Sequence, residues 1–170
     1  ALRRLYRIIA PWITENPLIL HVVSTNPETV RNAIDQASNC GFEMISLSFG
    51  SGINMEDEND DNYQKCKNLA DYADSKGLHL GGYSLLSSRR IQPDIDNIVN
   101  PKTGNPGDQT HGYCPALASK WGQNYFRKLR AFFEKTGFLQ FTHDGYYPGD
   151  VDAAVRPPLQ KGVEDSQWIQ

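Results

Sequence analysis

Four short runs rich in β-branched and aromatic residues recur along this chain, and an amphipathic or polar stretch separates each from the next. No other feature of the sequence restricts the fold so tightly. PLILHVVST (17–25) is the first run. Pro27 then opens a helix with Asn26 as its cap, and Val30, Ala33, Ile34 and Ala37 fall on one face. Gly41 ends that helix, and FEMISLSF (42–49) is the second strand. A second helix over about 62–76 places Tyr63, Cys66, Leu69, Ala70 and Ala73 on its inner stripe. Gly77 closes it before LHLGGYSLL (78–86), the third strand. The longest helix covers about 118–136, with Trp121, Tyr125, Leu129, Phe132 and Phe133 at core spacing. Gly137 separates it from a fourth strand over 138–143.

Successive β–α–β units imply an α/β fold with parallel strands covered by helices. Two architectures fit: an open doubly wound sheet, or the first half of a TIM (β/α)8 barrel. Such a barrel needs about 250 residues, so a chain of 170 holds about its first four or five units. In either fold, functional groups gather at the carboxyl ends of the strands. Residues 1–170 are expected to form a single domain or a partial catalytic barrel. Within them, 87–117 carries Pro93, Pro101, Pro106 and Pro115 and reads as a long loop or small insertion. It is expected to pack over the carboxyl ends of the third and fourth strands.

Charge and composition narrow the function. The net charge is −3, and Lys and Arg are scattered apart from the pairs Arg3–Arg4 and Arg89–Arg90, so no basic stripe points to nucleic acid. The longest apolar run is too short to span a bilayer. The opening ALRRLYRIIAPW has neither a starting Met nor a signal-type apolar core, as expected of a mature N-terminus or an internal start. A secreted or periplasmic location stays open. Cys40, Cys66 and Cys114 leave at least one thiol unpaired, and none stand at CxxC spacing. They are expected to be small buried thiols.

GFLQFTHDGYYPGD (137–150) ends a buried-looking strand on a carboxylate, Asp144. By itself, Asp144–Gly145 is a turn pair. A metal-dependent hydrolase or deacetylase using His143 and Asp144 is a second reading, with His21, His79 and His111 as further ligands. Strand alternation, however, turns His143 away from Asp144 and toward the covering helices, as a packing residue. A deacetylase-type metal site also needs a downstream His pair, and no His follows His143. No metal is therefore expected. The acidic run EDENDD (56–61) lacks the Gly and Glu of a calcium loop, since Asn62 and Asn68 stand there. It suits a helix N-terminus, with a substrate role for Glu56 or Asp57 left open.

Three stretches carry a family resemblance. NLADYADSKGLHLGGYS (68–84) resembles a helix–strand unit of clan D glycoside hydrolases, the α-galactosidase-like barrels. ALASKWGQNYFRKLRAFFEKTGFLQFTHDG (116–145) is similar to their next unit, whose strand ends on the nucleophilic Asp. ASNCGFEMISLSFG (37–50) can be laid over the unit before both. The resemblance covers about 17–150 in the right order. It implies a retaining glycosidase with Asp144 as nucleophile, no cofactor, a carbohydrate substrate and a remaining barrel segment. No nucleic-acid or membrane partner is expected.

The departures from the family pattern concern the sugar. The family places Lys two residues before the nucleophile, where this chain has Thr142. It reads galactose hydroxyls with an Asp-Asp pair at the second strand's end, where Ser48, Phe49 and Gly50 stand here. The resemblance therefore implies a remote relative acting on another glycoside or polysaccharide. Thr142 and Ser48 occupy the matching positions. Tyr146 and Tyr147 follow the strand as sugar-stacking aromatics. Asp165 and Trp168, in VEDSQWIQ, are further candidate contacts on the start of a fifth strand or its loop. The family's acid/base lies on a later strand. Of Asp150, Asp152, Glu164 and Asp165, the carboxylates after Asp144, none has its motif context. A non-catalytic carbohydrate-binding barrel fragment is the alternative.

Overall fold

The computed structural model describes residues 5, 8, 9, 17–107, 109–145 and 150–169, with side chains through Ser166 in the last helix. Four strands are present among them: β1 (Ile19–Val22), β2 (Met44–Leu47), β3 (His79–Leu85) and β4 (Gln140–Asp144). Helices α1 (Pro27–Cys40), α2 (Asp60–Ser75) and α3 (Lys120–Thr136) connect them, and α4 (Val163–Ile169) follows. All neighbouring strands run parallel in the order β1-β2-β3-β4. That chain-order adjacency is the arrangement of a barrel segment; a doubly wound sheet reverses direction about its first strand.

Local chemistry fixes the helix ends. Asn26 Oδ1 accepts from the Glu28 and Thr29 N–H groups at 3.0 and 3.1 Å, and Pro27 occupies the first turn, where its missing donor costs nothing. Gly41 closes α1 at φ 80°, a left-handed position suited to glycine. The second helix begins at Asp60, two residues before the expected start, because Asn59 caps it by accepting from Asp61 N–H at 2.9 Å. Asp60 and Asp61 then lie in its first turn, where the helix dipole favours them. Ser119 caps α3 through Gly122 N–H.

The outer face of the sheet buries its apolar residues under these helices. Ile45, Leu47, Leu80 and Phe138 pack with Ile34, Leu69 and Phe132. Each such side chain contributes about 1.5–3 kcal/mol on burial. The opposite, inner face is set by register: His21 pairs with Ser46, Ser46 with Gly81, Gly81 with Gln140, Tyr83 with Thr142, and Leu85 with Asp144. Gly81 has a steric reason, since a Cβ there would lie 2.6 Å from Gln140 Cβ.

The segment 87–117 forms a small layer of its own. Ile98, Cys114 and Ala116 form a buried apolar cluster there, and Ile98 N–H donates to Cys114 O at 2.9 Å. It docks on the start of α3, where Ala116 N–H donates to Asp96 O and Trp121 N–H to Asp96 Oδ1. From the later chain, Asp152 enters this layer fully buried. It accepts from Val99 N–H at 2.9 Å, from Gln160 Nε2 at 3.0 Å, and from Arg156. Among the described residues, no helix is long and apolar enough to cross a membrane.

Two of the three expected buried thiols are buried. Cys66 and Cys114 are enclosed, but Cys40 is exposed, because it is the last residue of α1 and projects beyond the packed stripe. Burial pushes the Cys66 thiol up to about 11 and raises that of Cys114. At pH 8 a maleimide should therefore modify Cys40 promptly, and Cys66 and Cys114 only after denaturation. Peptide mass mapping of the native protein checks this; equal labelling of all three would contradict the packing.

Candidate functional site

Asp144 is the last residue of β4, and strand alternation puts its side chain on the inner face with Thr142. Its backbone is fixed by β3: the N–H groups of Leu86 and Ser87 both donate to Asp144 O, at 3.2 and 2.9 Å. The carboxylate is exposed, and the Tyr83 hydroxyl donates to its Oδ2 at 2.7 Å. Oδ1 takes no hydrogen bond among the described residues. The result is a carboxylate at a strand end with one oxygen held and the other unbonded among the described residues.

The neighbouring inner-face groups are polar. Thr142 is half-buried, and its Oγ1 has no hydrogen-bond partner among the described residues; the same holds for Ser46 Oγ and Gln140 Oε1. Ser48 follows β2, where its N–H donates to Val22 O and its hydroxyl lies 2.6 Å from His21 Nδ1. Thr142 and Asp144 thus share one strand face. Ser48 lies two strands away, at the same end of the sheet.

A pocket of about 360 Å³ opens at the carboxyl ends of β2 and β3. Ser48, Phe49 and Tyr83 line it, as do Leu85, Glu56 and Arg89. Phe49 is 66% exposed and meets the Tyr83 ring edge-on at 5.4 Å. Arg89 and Glu56 form a two-pronged pair, with Nη1 to Oε1 at 2.6 Å and Nη2 to Oε2 at 3.0 Å. The guanidinium also lies 5.0 Å from the Trp121 ring centre and donates to Leu85 O. Glu56 is thereby the member of the acidic run that reaches the pocket. Asp57 instead accepts from Asn59 N–H, and Glu58 pairs with Arg127.

Several expected residues fall elsewhere. Tyr146 and Tyr147 lie outside the described residues, as does the Trp168 side chain. Residues 163–169 form α4 rather than a fifth strand or loop, and Asp165 accepts from Lys161 N–H at 2.7 Å, bracing that helix start. No described contact joins Asp165 to Asp144. His143 does face away from Asp144, but it is exposed and stacks on Phe141 at 5.0 Å rather than packing under a helix. The cause is position: β4 is the last strand of the described sheet, and its outer face opens toward the carboxyl end. The opposed directions of His143 and Asp144 do not suit joint metal ligation. Asp150 accepts from Thr110 N–H and Oγ1 and faces the Cys114 thiol, so both it and Asp152 are committed to the 87–117 layer.

Sequence reasoning missed Tyr83, Phe49 and Arg89 as site residues. Tyr83 was legible in part, since in LHLGGYSLL it alternates onto the same face as Gly81 and Leu85. Its meeting with Asp144 depends on the β3–β4 register.

No protein-family model and no curated protein sequence matches this chain. Solved structures do resemble it. A hypothetical protein from Ruminiclostridium thermocellum ATCC 27405 superposes with a TM-score of 0.51 at 10% identity, over 75% of each chain. The GH31 alpha-xylosidase from Xanthomonas citri gives 0.50 at 11% identity, over 83% of this chain and 18% of that one. A cycloalternan-degrading enzyme from Trueperella pyogenes gives 0.50 at 11% identity, over 84% and 27%. The chain thus spans under a third of the length of these two glycosidases. At such identities the likeness is one of fold: four parallel βα units matching part of a TIM-barrel glycosidase. It reaches barrel glycosidases broadly and does not single out clan D.

Gly145 completes the site's backbone. Its φ of 108° is open to glycine almost alone, and a Cβ there would run into the Ser87 side chain and lie 2.8 Å from Ser87 N. Gly145→Ala should cost about 1–3 kcal/mol. It should also speed hydrogen exchange at the Leu86 and Ser87 amides. Unchanged exchange there would show that Asp144 O is not their anchor.

Proposed function

We propose that this chain is part of a retaining glycoside hydrolase, a remote relative of the α-galactosidase-like clan D barrels, with Asp144 as nucleophile. The observation that carries the reading is the Asp144 carboxylate itself: on the inner face, at the carboxyl end of a parallel strand, with Oδ2 on the Tyr83 hydroxyl and Oδ1 unbonded among the described residues. A charge-assisted bond to one oxygen orients the group. The free oxygen can then attack an anomeric carbon.

In this reaction Asp144 Oδ1 forms a bond to the anomeric carbon as the glycosidic C–O bond breaks and the leaving oxygen takes a proton. Water then releases the sugar from the ester. The second carboxyl group must lie about 5–5.5 Å from the first. Asp150 and Asp152 are buried and bonded elsewhere, which favours an acid/base on further βα units beyond these residues. Thr142 and Ser48 stand where a galactose-specific site would hold a cation and acidic acceptors. The substrate is accordingly a different glycoside or polysaccharide. Tyr146 and Tyr147 follow directly in sequence as candidate stacking residues.

In the protein carrying its full barrel, Asp144→Asn should abolish turnover of aryl glycosides by orders of magnitude while the fold persists. Tyr83→Phe removes a charge-assisted bond worth about 1.5–3 kcal/mol and should lower kcat by roughly ten- to a hundredfold. A slow fluorinated glycoside should leave its sugar on the Asp144 peptide, read by mass. A label on another carboxylate, or near-normal turnover in Asp144→Asn, would end the assignment.

A further inference from the structure

The pocket beside Asp144 contains two charged side chains, Glu56 and Arg89, and they neutralise each other through a two-pronged pair. The pair is partly enclosed, with side chains 19% and 30% exposed. It is held from behind: Arg89 N–H donates to Tyr113 O, its guanidinium lies on Trp121 and bonds Leu85 O, and Lys128 Nζ donates to Glu56 O. Each Glu56 oxygen accepts one arginine N–H and retains a further acceptor site. The exposed Phe49 ring lines the same pocket.

Two residues connect this pocket to the strand-end carboxylate. Tyr83 lines the pocket, and its hydroxyl holds Asp144. Leu85 also lines it and is the direct register partner of Asp144 on the adjoining strand. Neighbouring strands lie about 4.7–4.9 Å apart, so a ligand seated against Tyr83 and Leu85 lies beside the carboxylate. The volume, about 360 Å³, is at the small end of the roughly 300–1,000 Å³ range of ligand pockets.

We propose that this pocket is the sugar-reading subsite of the Asp144 reaction, that it selects an uncharged pyranose, and that Phe49, Glu56 and Arg89 determine this choice. The substrate assignment rests on the glycosidase reading of Asp144. Phe49 offers an apolar face to the ring C–H groups, and the Glu56–Arg89 pair offers adjoining acceptors and donors to hydroxyls. A carboxylate-bearing sugar is disfavoured, because it must compete with Glu56 for a guanidinium already satisfied on two prongs. Neutral hydroxyls can use the remaining acceptor sites without breaking the pair.

The test uses the full-barrel protein carrying Asp144→Asn, with D-galactose, D-xylose and D-glucuronate as probes in ligand-observed NMR and calorimetry. At least one neutral sugar should bind and glucuronate should not. Adding Phe49→Ala, at an exposed ring whose loss leaves the core intact, should weaken the neutral sugar about tenfold or more, or roughly 1.4 kcal/mol. Arg89→Met should do the same. Preference for glucuronate, absence of any sugar binding, or unchanged binding in Phe49→Ala would overturn the proposal. Covalent labelling keeps the two readings apart. Asp144 labelling with unaltered half-saturation in Phe49→Ala would leave the nucleophile standing and remove the pocket. Phe49-dependent binding of a neutral sugar, with no label ever at Asp144, would remove the nucleophile and leave a sugar-binding site.

Discussion

Two backbone N–H groups, those of Leu86 and Ser87, converge on the Asp144 carbonyl, and the arrangement of the site depends on that meeting. The bonds tie the end of β3 to the end of β4. They give the excursion through 87–117 a fixed point of departure. Because the chain passes so close to Ser87, residue 145 has no room for a side chain and takes a φ of 108°. With both strand ends fixed, Tyr83 and Asp144 occupy adjacent strands two register steps apart on one face, and a phenol can span that separation to the carboxylate. Without the backbone anchor, Asp144 would sit on a fraying strand end.

The two faces of the sheet obey different physics. The outer face buries branched and aromatic side chains under three helices. The inner face carries His21, Ser46, Tyr83, Gln140, Thr142 and Asp144. Barrel interiors are ordinarily filled by branched aliphatics, yet Ser46, Gln140 and Thr142 each leave a buried polar atom without a partner among the described residues. Such an atom costs about 1–3 kcal/mol when unsatisfied. The inner face therefore calls for polar groups or water opposite it, which a dry aliphatic core would not supply.

Much of this frame was legible in the sequence because its signals are local. Asn26, Gly41 and Gly137 punctuate the helices by their own backbone chemistry, and the stripe from Tyr125 to Phe132 needs only a period of 3.6 to be recognised as core. Alternation alone turned His143 away from Asp144. It could not give His143 a cover, because burial is decided by what crosses β4. Cys40 fell outside the buried set for a similar reason, lying where the helix runs past its packed stripe. The final helix was mistaken for strand or loop because seven residues give too little periodicity, and its bracing bond from Lys161 N–H to Asp165 is a tertiary detail. Arg89 and Glu56 are 33 positions apart and meet only through the folded sheet.

That separation also sets the pocket wall apart from the strand-end carboxylate. Asp144 belongs to the strand ladder, and the Leu86 and Ser87 N–H groups just past β3 fix its backbone. Glu56 and Arg89 belong to the connections that follow β2 and β3, where sequence can vary with little cost to the sheet. Ser48 and Phe49 follow β2 and Thr142 lies on the inner face of β4, so these strand-end positions carry uncharged side chains. The Glu56–Arg89 pair brings one charge of each sign to the pocket wall, mutually neutralised. Substitution of loop residues can thus change the charges at the pocket while the carboxylate stays where β4 holds it. Variation in the pocket wall, beside an unmoved carboxylate, is the pattern such a division of labour allows.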